Sequence, residues 1–215
     1  MEDKAFSVSL AKNPVISVNV IPGHFTTNNA HSNNYLDVSG LKSNTGVARD
    51  VARELAIPYL SSTLIDTIVC MEKMEVIGAY LAQELAQDGT SVMNSGDVIY
   101  VVSPINNTYG NLVFPDSAIK WISGKNILLL VATVSSGRAL NCGIECINYY
   151  GGNLAGISAL YLASHVRFEE KIHPLFTSED IPGYKLYNTV ECELCKAGVK
   201  LDALISSEGY TSLNR

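Results

Sequence analysis

The sequence has no run of basic residues and no uninterrupted apolar stretch approaching the roughly 18 residues that a membrane-crossing helix requires. Its 215 residues carry a net charge of −6 with the cations scattered, so the electrostatic footprint of a nucleic-acid-binding surface is missing. The first residues, MEDKAFSVSL, lack the basic and then apolar pattern of a secretory leader. Cysteine is scarce and odd in number: Cys70, Cys142, Cys146, Cys192 and Cys195 are five thiols in a chain large enough to need no covalent staples. That usage fits reduced thiols better than a disulfide framework. The expectation is a cytoplasmic protein that contacts neither nucleic acid nor membrane.

What is present is a core. A hydrophobic content of 47% and a mean hydropathy of +0.15 fit one compact α/β domain. Residues 1–45 are rich in Asn, Ser, Thr and His and read as an irregular arm, or hood, that folds over something else. From residue 46 to about 165 the pattern becomes that of a core. Val47, Val51 and Leu55 recur at helical spacing before Pro58, and DTIVCM at residues 66–71 reads as a buried strand. A helix follows at about 74–87, then a strand at 97–103, a polar excursion, a strand at 126–132, a helix at about 138–150 and a strand at 156–163. Nearly unbroken apolar strands alternating with helices mark a parallel sheet. Residues 166–215 form a C-terminal extension with a small helix near residues 201–205.

The stretch LLLVATVSSGRAL, residues 128–140, runs a buried strand into Ser135, Ser136, Gly137, Arg138 and Ala139 at the start of a helix. In open α/β sheets ligands lie beyond the carboxyl ends of the strands, where free N–H groups and the helix dipole favour an anion. The hydroxyls can donate, the glycine permits a tight turn and Arg138 adds positive charge. The plain alternative is an ordinary Ser/Gly cap on a buried helix.

VATVSSGRAL, followed by YYGGNLAGISALYLA at residues 149–163, resembles the phosphoribosyl-diphosphate signature of type I phosphoribosyltransferases, of the orotate phosphoribosyltransferase type. PGHFTTNNAHSNNYLDV, residues 22–38, is similar to that family's base-side hood, and DTIVCMEKMEVIGAYLAQEL, residues 66–85, to its diphosphate-contacting loop. The resemblance implies an open, mostly parallel sheet with helices on both faces, an irregular N-terminal hood and a C-terminal extension. It also implies glycosyltransferase chemistry on a phosphorylated ribose or nucleotide, Mg²⁺ in an active enzyme, and a homodimer. By the same resemblance the phosphate falls to residues 135–139, the ribose side to Ala132 and Thr133, the diphosphate side to Lys73, and the base side to Phe25, His31 and Tyr35.

The chain departs from that family at the chemistry. Ala132 and Thr133 stand where the family carries two adjacent acidic residues for the ribose hydroxyls. Residues 97–114, the counterpart of a loop rich in lysine and histidine, contain no Lys, Arg or His. The alternative function is therefore a non-catalytic sensor or accessory protein that binds a nucleotide or phosphate ligand. The plainer reading of Lys73 is part of a solvated charge cluster with Glu72 and Glu75 at a helix start. His24, His31 and Tyr35 read equally as exposed arm residues or subunit contacts. Cys192-Glu193-Leu194-Cys195 has the shape of half a zinc knuckle, which Cys142 and Cys146 at i,i+4 could complete on paper. A redox pair and plain buried thiols are the other readings of these cysteines.

Overall fold

The computed structural model describes residues 2–27, 30–163, 170–206 and 209–213. Three strands come first: β1 (Phe6–Leu10), β2 (Asn13–Thr26) and β3 (Ala30–Asp37), followed by α1 (Ser39–Ser43) and α2 (Thr45–Ala56). Next come β4 (Thr67–Cys70), α3 (Glu75–Leu85), β5 (Tyr100–Val102), β6 (Ile105–Asn106), β7 (Leu112–Val113) and α4 (Asp116–Ile119). The chain continues through β8 (Asn126–Val134), α5 (Arg138–Tyr149), β9 (Asn153–Leu162), β10 (Ile172–Thr177) and β11 (Leu186–Asn188). It ends with α6 (Glu193–Lys196), β12 (Ala203–Ser206) and β13 (Gly209–Ser212). No described helix is long and apolar enough to cross a membrane.

Five strands form the central sheet in the order β10-β9-β8-β4-β5, and every pairing in it is parallel. Successive side chains on a strand face opposite sides, so a strand buried on both faces must be apolar at every position. β8 obeys this with Ile127, Leu128, Leu129, Leu130 and Val131, all at most 2% exposed. Leu128 and Leu130 join Ile68, Cys70 and Leu160 in one cluster with Val51 and Leu55 of α2 and Ile77 and Leu81 of α3. Ile127, Leu129 and Val131 join Val69, Ile157 and Ala159 in a second, with Leu140 and Ile147 of α5. Helices therefore cover both faces, as the sequence predicts.

Residues 1–45 hold more regular structure than their polar composition suggests. β1, β2 and β3 join β11, β12 and β13 in a six-stranded sheet, ordered β11-β3-β2-β12-β13 with β1 on the edge of β2. Ile16, Val18 and Val20 alternate inward along β2 and share the first core cluster with α2 and α3. β3 reads as irregular because three of the five residues it buries are polar, His31, Ser32 and Asn34, beside Ala30 and Leu36. Ser32 Oγ donates to the Asn34 carbonyl at 2.8 Å, and the neighbouring Asn33 amide donates to the Gly183 carbonyl at 2.7 Å while its oxygen accepts from Lys185 N–H at 2.7 Å. These bonds replace the water that such groups give up on burial. The helix expected near residues 201–205 is instead strand β12, which runs parallel to β2 with Ala203 opposite Phe25. Tertiary pairing outweighs local preference in so short a segment.

One close approach fixes where α2 ends. Tyr59, just past that helix, lays its ring against Gly156 of β9 and donates its hydroxyl to the Ile157 carbonyl at 2.9 Å. A Cβ at position 156 would stand 2.5 Å from Tyr59 Cε1. Gly156→Ala is expected to lower stability by about 1–3 kcal/mol, read as a reduced urea midpoint at unchanged m-value.

Candidate functional site

The carboxyl ends of β8 and β4 converge, and the loops that leave them differ in construction. After β8, Gly137 is buried and takes the left-handed conformation, φ 78°, which turns the chain into α5. A side chain there would be strained by that conformation alone. Asn141 N–H donates to the Gly137 carbonyl at 2.9 Å, and no side chain caps the helix. α2 shows the contrast, because Asn44 Oδ1 accepts from Gly46 and Val47 N–H at 3.1 and 3.3 Å. Ser135 and Ser136 thus do not act as the ordinary helix cap that their composition would also allow. Ser136, Arg138 and Ala139 are exposed, Ser135 and Thr133 are half-buried, and Ala132 is buried. The first turn of α5 presents N–H groups, two hydroxyls and a guanidinium on the same loop, a combination suited to an anion.

After β4 the chain makes a tighter excursion. Glu72 and Lys73 are the two non-glycine residues with positive φ among the described residues, at 55° and 63°. Each costs on the order of 1–2 kcal/mol relative to an ordinary backbone, so something must hold them. Glu72 Oε2 accepts from the backbone N–H groups of Ala132 and Thr133 at 2.9 and 3.1 Å, and Lys42 Nζ donates to the Glu72 carbonyl at 3.1 Å. The two loops are tied at the positions where β8 carries no carboxylate of its own. Burial raises the Glu72 pKa above its ordinary value of 4.5, while the two N–H bonds and Lys42 pull it down. Glu75 turns elsewhere and accepts from Ser103 Oγ at 2.6 Å. Lys73 is exposed beside this loop.

Of the three residues expected at the base side, Phe25 and Tyr35 pack together and His31 joins a different group. Phe25 is fully buried in a small cluster with Ile21 and Ala203, its ring 5.9 Å from Tyr35 and 6.5 Å from Tyr210. Burial pushes the Tyr35 phenol up to about 12, with Asp37 and Tyr210 adding to the shift. His31 instead contacts His24 and Cys195. His31 Nδ1 lies 3.2 Å from His24 Nε2 and 3.3 Å from Cys195 Sγ, and His24 Nε2 lies 3.4 Å from Cys192 Sγ and 3.7 Å from Cys195 Sγ. Burial and the His24 charge hold the His31 imidazole below its usual pKa.

Cys142 and Cys146 do not complete the cysteine pair. Cys142 is exposed on α5, and Cys146 packs under the sheet, its thiol 3.5 Å from the Leu112 carbonyl. Sequence reasoning missed the histidines as companions of Cys192 and Cys195 because 168 residues separate His24 from Cys192. His165 lies outside the described residues. His173 stacks edge-on against Tyr59 in a concave patch with Pro58 and Leu154, at the amino-terminal ends of β9 and β10, the opposite end of the sheet from the loop after β8.

The Glu72 tie makes a pH-dependent prediction. Its folded-state pKa lies above the unfolded value, so the folded protein binds that proton more tightly and loses stability as pH rises from 4.5. Glu72→Gln keeps an oxygen for both N–H groups and removes the titration. Chemical denaturation between about pH 4 and about pH 7 is expected to show wild type losing stability relative to this variant as pH rises, then levelling off above the folded-state value.

No protein-family model matches the chain, and no curated protein matches it in sequence. Among solved structures, UMP synthase of Leishmania donovani aligns with a TM-score of 0.56 and 18% identity over 76% of this chain, which spans only 34% of that protein's length. Orotate phosphoribosyltransferase of Mycobacterium tuberculosis H37Rv, solved with Fe(III) dicitrate, aligns at 0.49 and 13% identity, covering 76% of this chain and 91% of that one. Adenine phosphoribosyltransferase of Leishmania donovani aligns at 0.48 and 12%, covering 70% and 73%. The parallel order β10-β9-β8-β4-β5, with helices on both faces and a glycine-led helix leaving its central strand, is the type I phosphoribosyltransferase fold.

Proposed function

We propose that the chain is a phosphoribosyltransferase-like protein that binds a phosphorylated ribose, with the 5-phosphate seated on residues 135–139. The carrying observation is the start of α5: a buried left-handed Gly137 opens a helix that no side chain caps. Its free N–H groups and the helix dipole would hold the phosphate, the Ser135 and Ser136 hydroxyls would donate to it, and Arg138 would neutralise charge. Lys73 would meet the diphosphate side, and Ala132 and Thr133 the ribose. A homodimer in the cytoplasm belongs to the same reading.

A second reading, binding without transfer, is favoured by the ribose side. Transfer from phosphoribosyl diphosphate needs the sugar hydroxyls gripped and positive charge over the leaving diphosphate as it departs. Ala132 and Thr133 offer no carboxylate, and residues 97–114 offer no cation. Mg²⁺ prefers oxygen ligands in an octahedral arrangement, and an acidic pair on this loop would help to place it. Here the Glu72 carboxylate beside the loop already accepts two backbone N–H bonds through Oε2. These residues do not fit the ion as an acidic pair would. A nucleoside 5-monophosphate asks less, because its phosphate needs only the α5 cradle.

Calorimetric titration with phosphoribosyl diphosphate, a ribonucleoside 5-monophosphate and inorganic phosphate, each with and without Mg²⁺, separates the readings. Magnesium-dependent binding of the diphosphate followed by turnover with a base establishes the transferase, whereas monophosphate binding alone establishes the receptor. Gly137→Val is expected to abolish monophosphate binding, since it strains the left-handed turn and fills the cradle. Unchanged affinity, in a variant whose circular dichroism matches wild type, would place the phosphate elsewhere.

A further inference from the structure

We propose that His24, His31, Cys192 and Cys195 form a closed Cys₂His₂ site for one structural Zn²⁺. Their four ligand atoms all lie within 4.8 Å of one another. A tetrahedral zinc with ordinary Zn–N and Zn–S bonds sets its ligands about 3.3 Å apart for N to N and about 3.5 Å for N to S. The observed separations are 3.2 Å between the nitrogens and 3.4, 3.7 and 3.3 Å between nitrogen and sulfur. Without an ion such crowding brings together two thiols and two imidazoles, of which His24, His31 and Cys192 are buried. A cation at the centre turns four lone pairs that face one another into four bonds.

The fold builds this arrangement rather than merely permitting it. β11 lies on one side of the β2–β3 hairpin and β12 on the other, so residues 189–202 must cross the hairpin to connect them. Tyr187 of β11 pairs with His31, and Ala203 of β12 pairs with Phe25, which fixes both ends of the crossing. Within it, α6 sets Cys192 and Cys195 one turn apart, and Gly198 at φ 72° reverses the chain. The pairing of β2 with β3 shifts register between Pro22 and Phe25, so two residues of β2, Gly23 and His24, oppose Asn33 alone. That bulge puts His24 on the same face as His31.

The bonds that orient the ligands are in place as well. The His24 ring meets the Val199 carbonyl through Nδ1 at 2.9 Å. A carbonyl can only accept, so Nδ1 carries the proton and Nε2, the atom aimed at both sulfurs, keeps its lone pair for a metal. His24 N–H also donates to Asp202 Oδ2 at 2.8 Å, and Asp202 N–H donates to the His24 carbonyl at 2.8 Å. Four protein ligands leave no open position for water or substrate, which marks a structural rather than a catalytic zinc. Its effect is to fasten the crossing segment to the hairpin. Either reading of the phosphate loop is compatible with it.

The test uses the full-length protein, produced with zinc in the medium and purified in a non-chelating reductant. Elemental analysis is expected to give one zinc per chain. Cobalt exchange is expected to give the visible absorption of a tetrahedral ion together with thiolate charge-transfer bands. Cys195→Ser, chosen because Cys195 is the exposed ligand, is expected to lose the metal and those bands, whereas Cys142→Ser keeps both. Chelation is expected to expose two additional thiols to a colorimetric reagent and to lower the melting temperature. Metal-free wild type after zinc supplementation, a cobalt spectrum without thiolate bands, or full metal retention in Cys195→Ser would each overturn the site.

Discussion

The structure depends on β8 being paired on both edges and covered on both faces. Parallel strands cannot be joined by a tight turn, so each neighbour of β8 arrives by a crossover that lays a helix over the sheet. β4 and β9 flank it, and the two hydrophobic clusters take alternate residues of the same strand. Because all five strands run the same way, their loops emerge together at one end. The candidate phosphate loop and the loop that carries Glu72 are neighbours for that reason, although 60 residues separate Glu72 from Ala132.

The Glu72 contact shows how local strain can be held. Two successive side-chain-bearing residues in the left-handed region are unfavourable, and a carboxylate bonded to two backbone N–H groups offsets that cost. The carboxylate reaches across from β4 to a position where β8 has only Ala132 and Thr133. Acidity at this end of the sheet is therefore not absent but relocated, and it is engaged with backbone rather than offered on the phosphate loop itself.

The elements legible in the sequence are those set by burial on both faces. The strand read at 126–132 and the helix at 138–150 fall within a residue or two of β8 and α5, because unbroken aliphatic residues and a serine-glycine loop admit few other structures. β3 is harder to read: residues 1–45 look like an irregular arm, since several groups that β3 buries are polar, and the half-buried Asn33 beside them is bonded from residues 183–185. The Cys192 and Cys195 pair was visible by spacing, but its companions were not. Ligand spacing within one segment is a local signal, whereas His24 and His31 reach it only through the crossing of residues 189–202 over the hairpin.

The parallel pairing of β12 with β2 bears on the order in which the molecule can be made. β12 follows β2 far along the chain, and the bond from His24 to Asp202 spans 178 residues. Contacts of such separation carry the largest loop-closure cost and form late. The helices and strands between them are local enough to assemble first. Until β12 arrives, the backbone of Phe25 and Thr26 lacks its partner beyond the part of β2 that β1 covers, a short opening at which a second chain could pair.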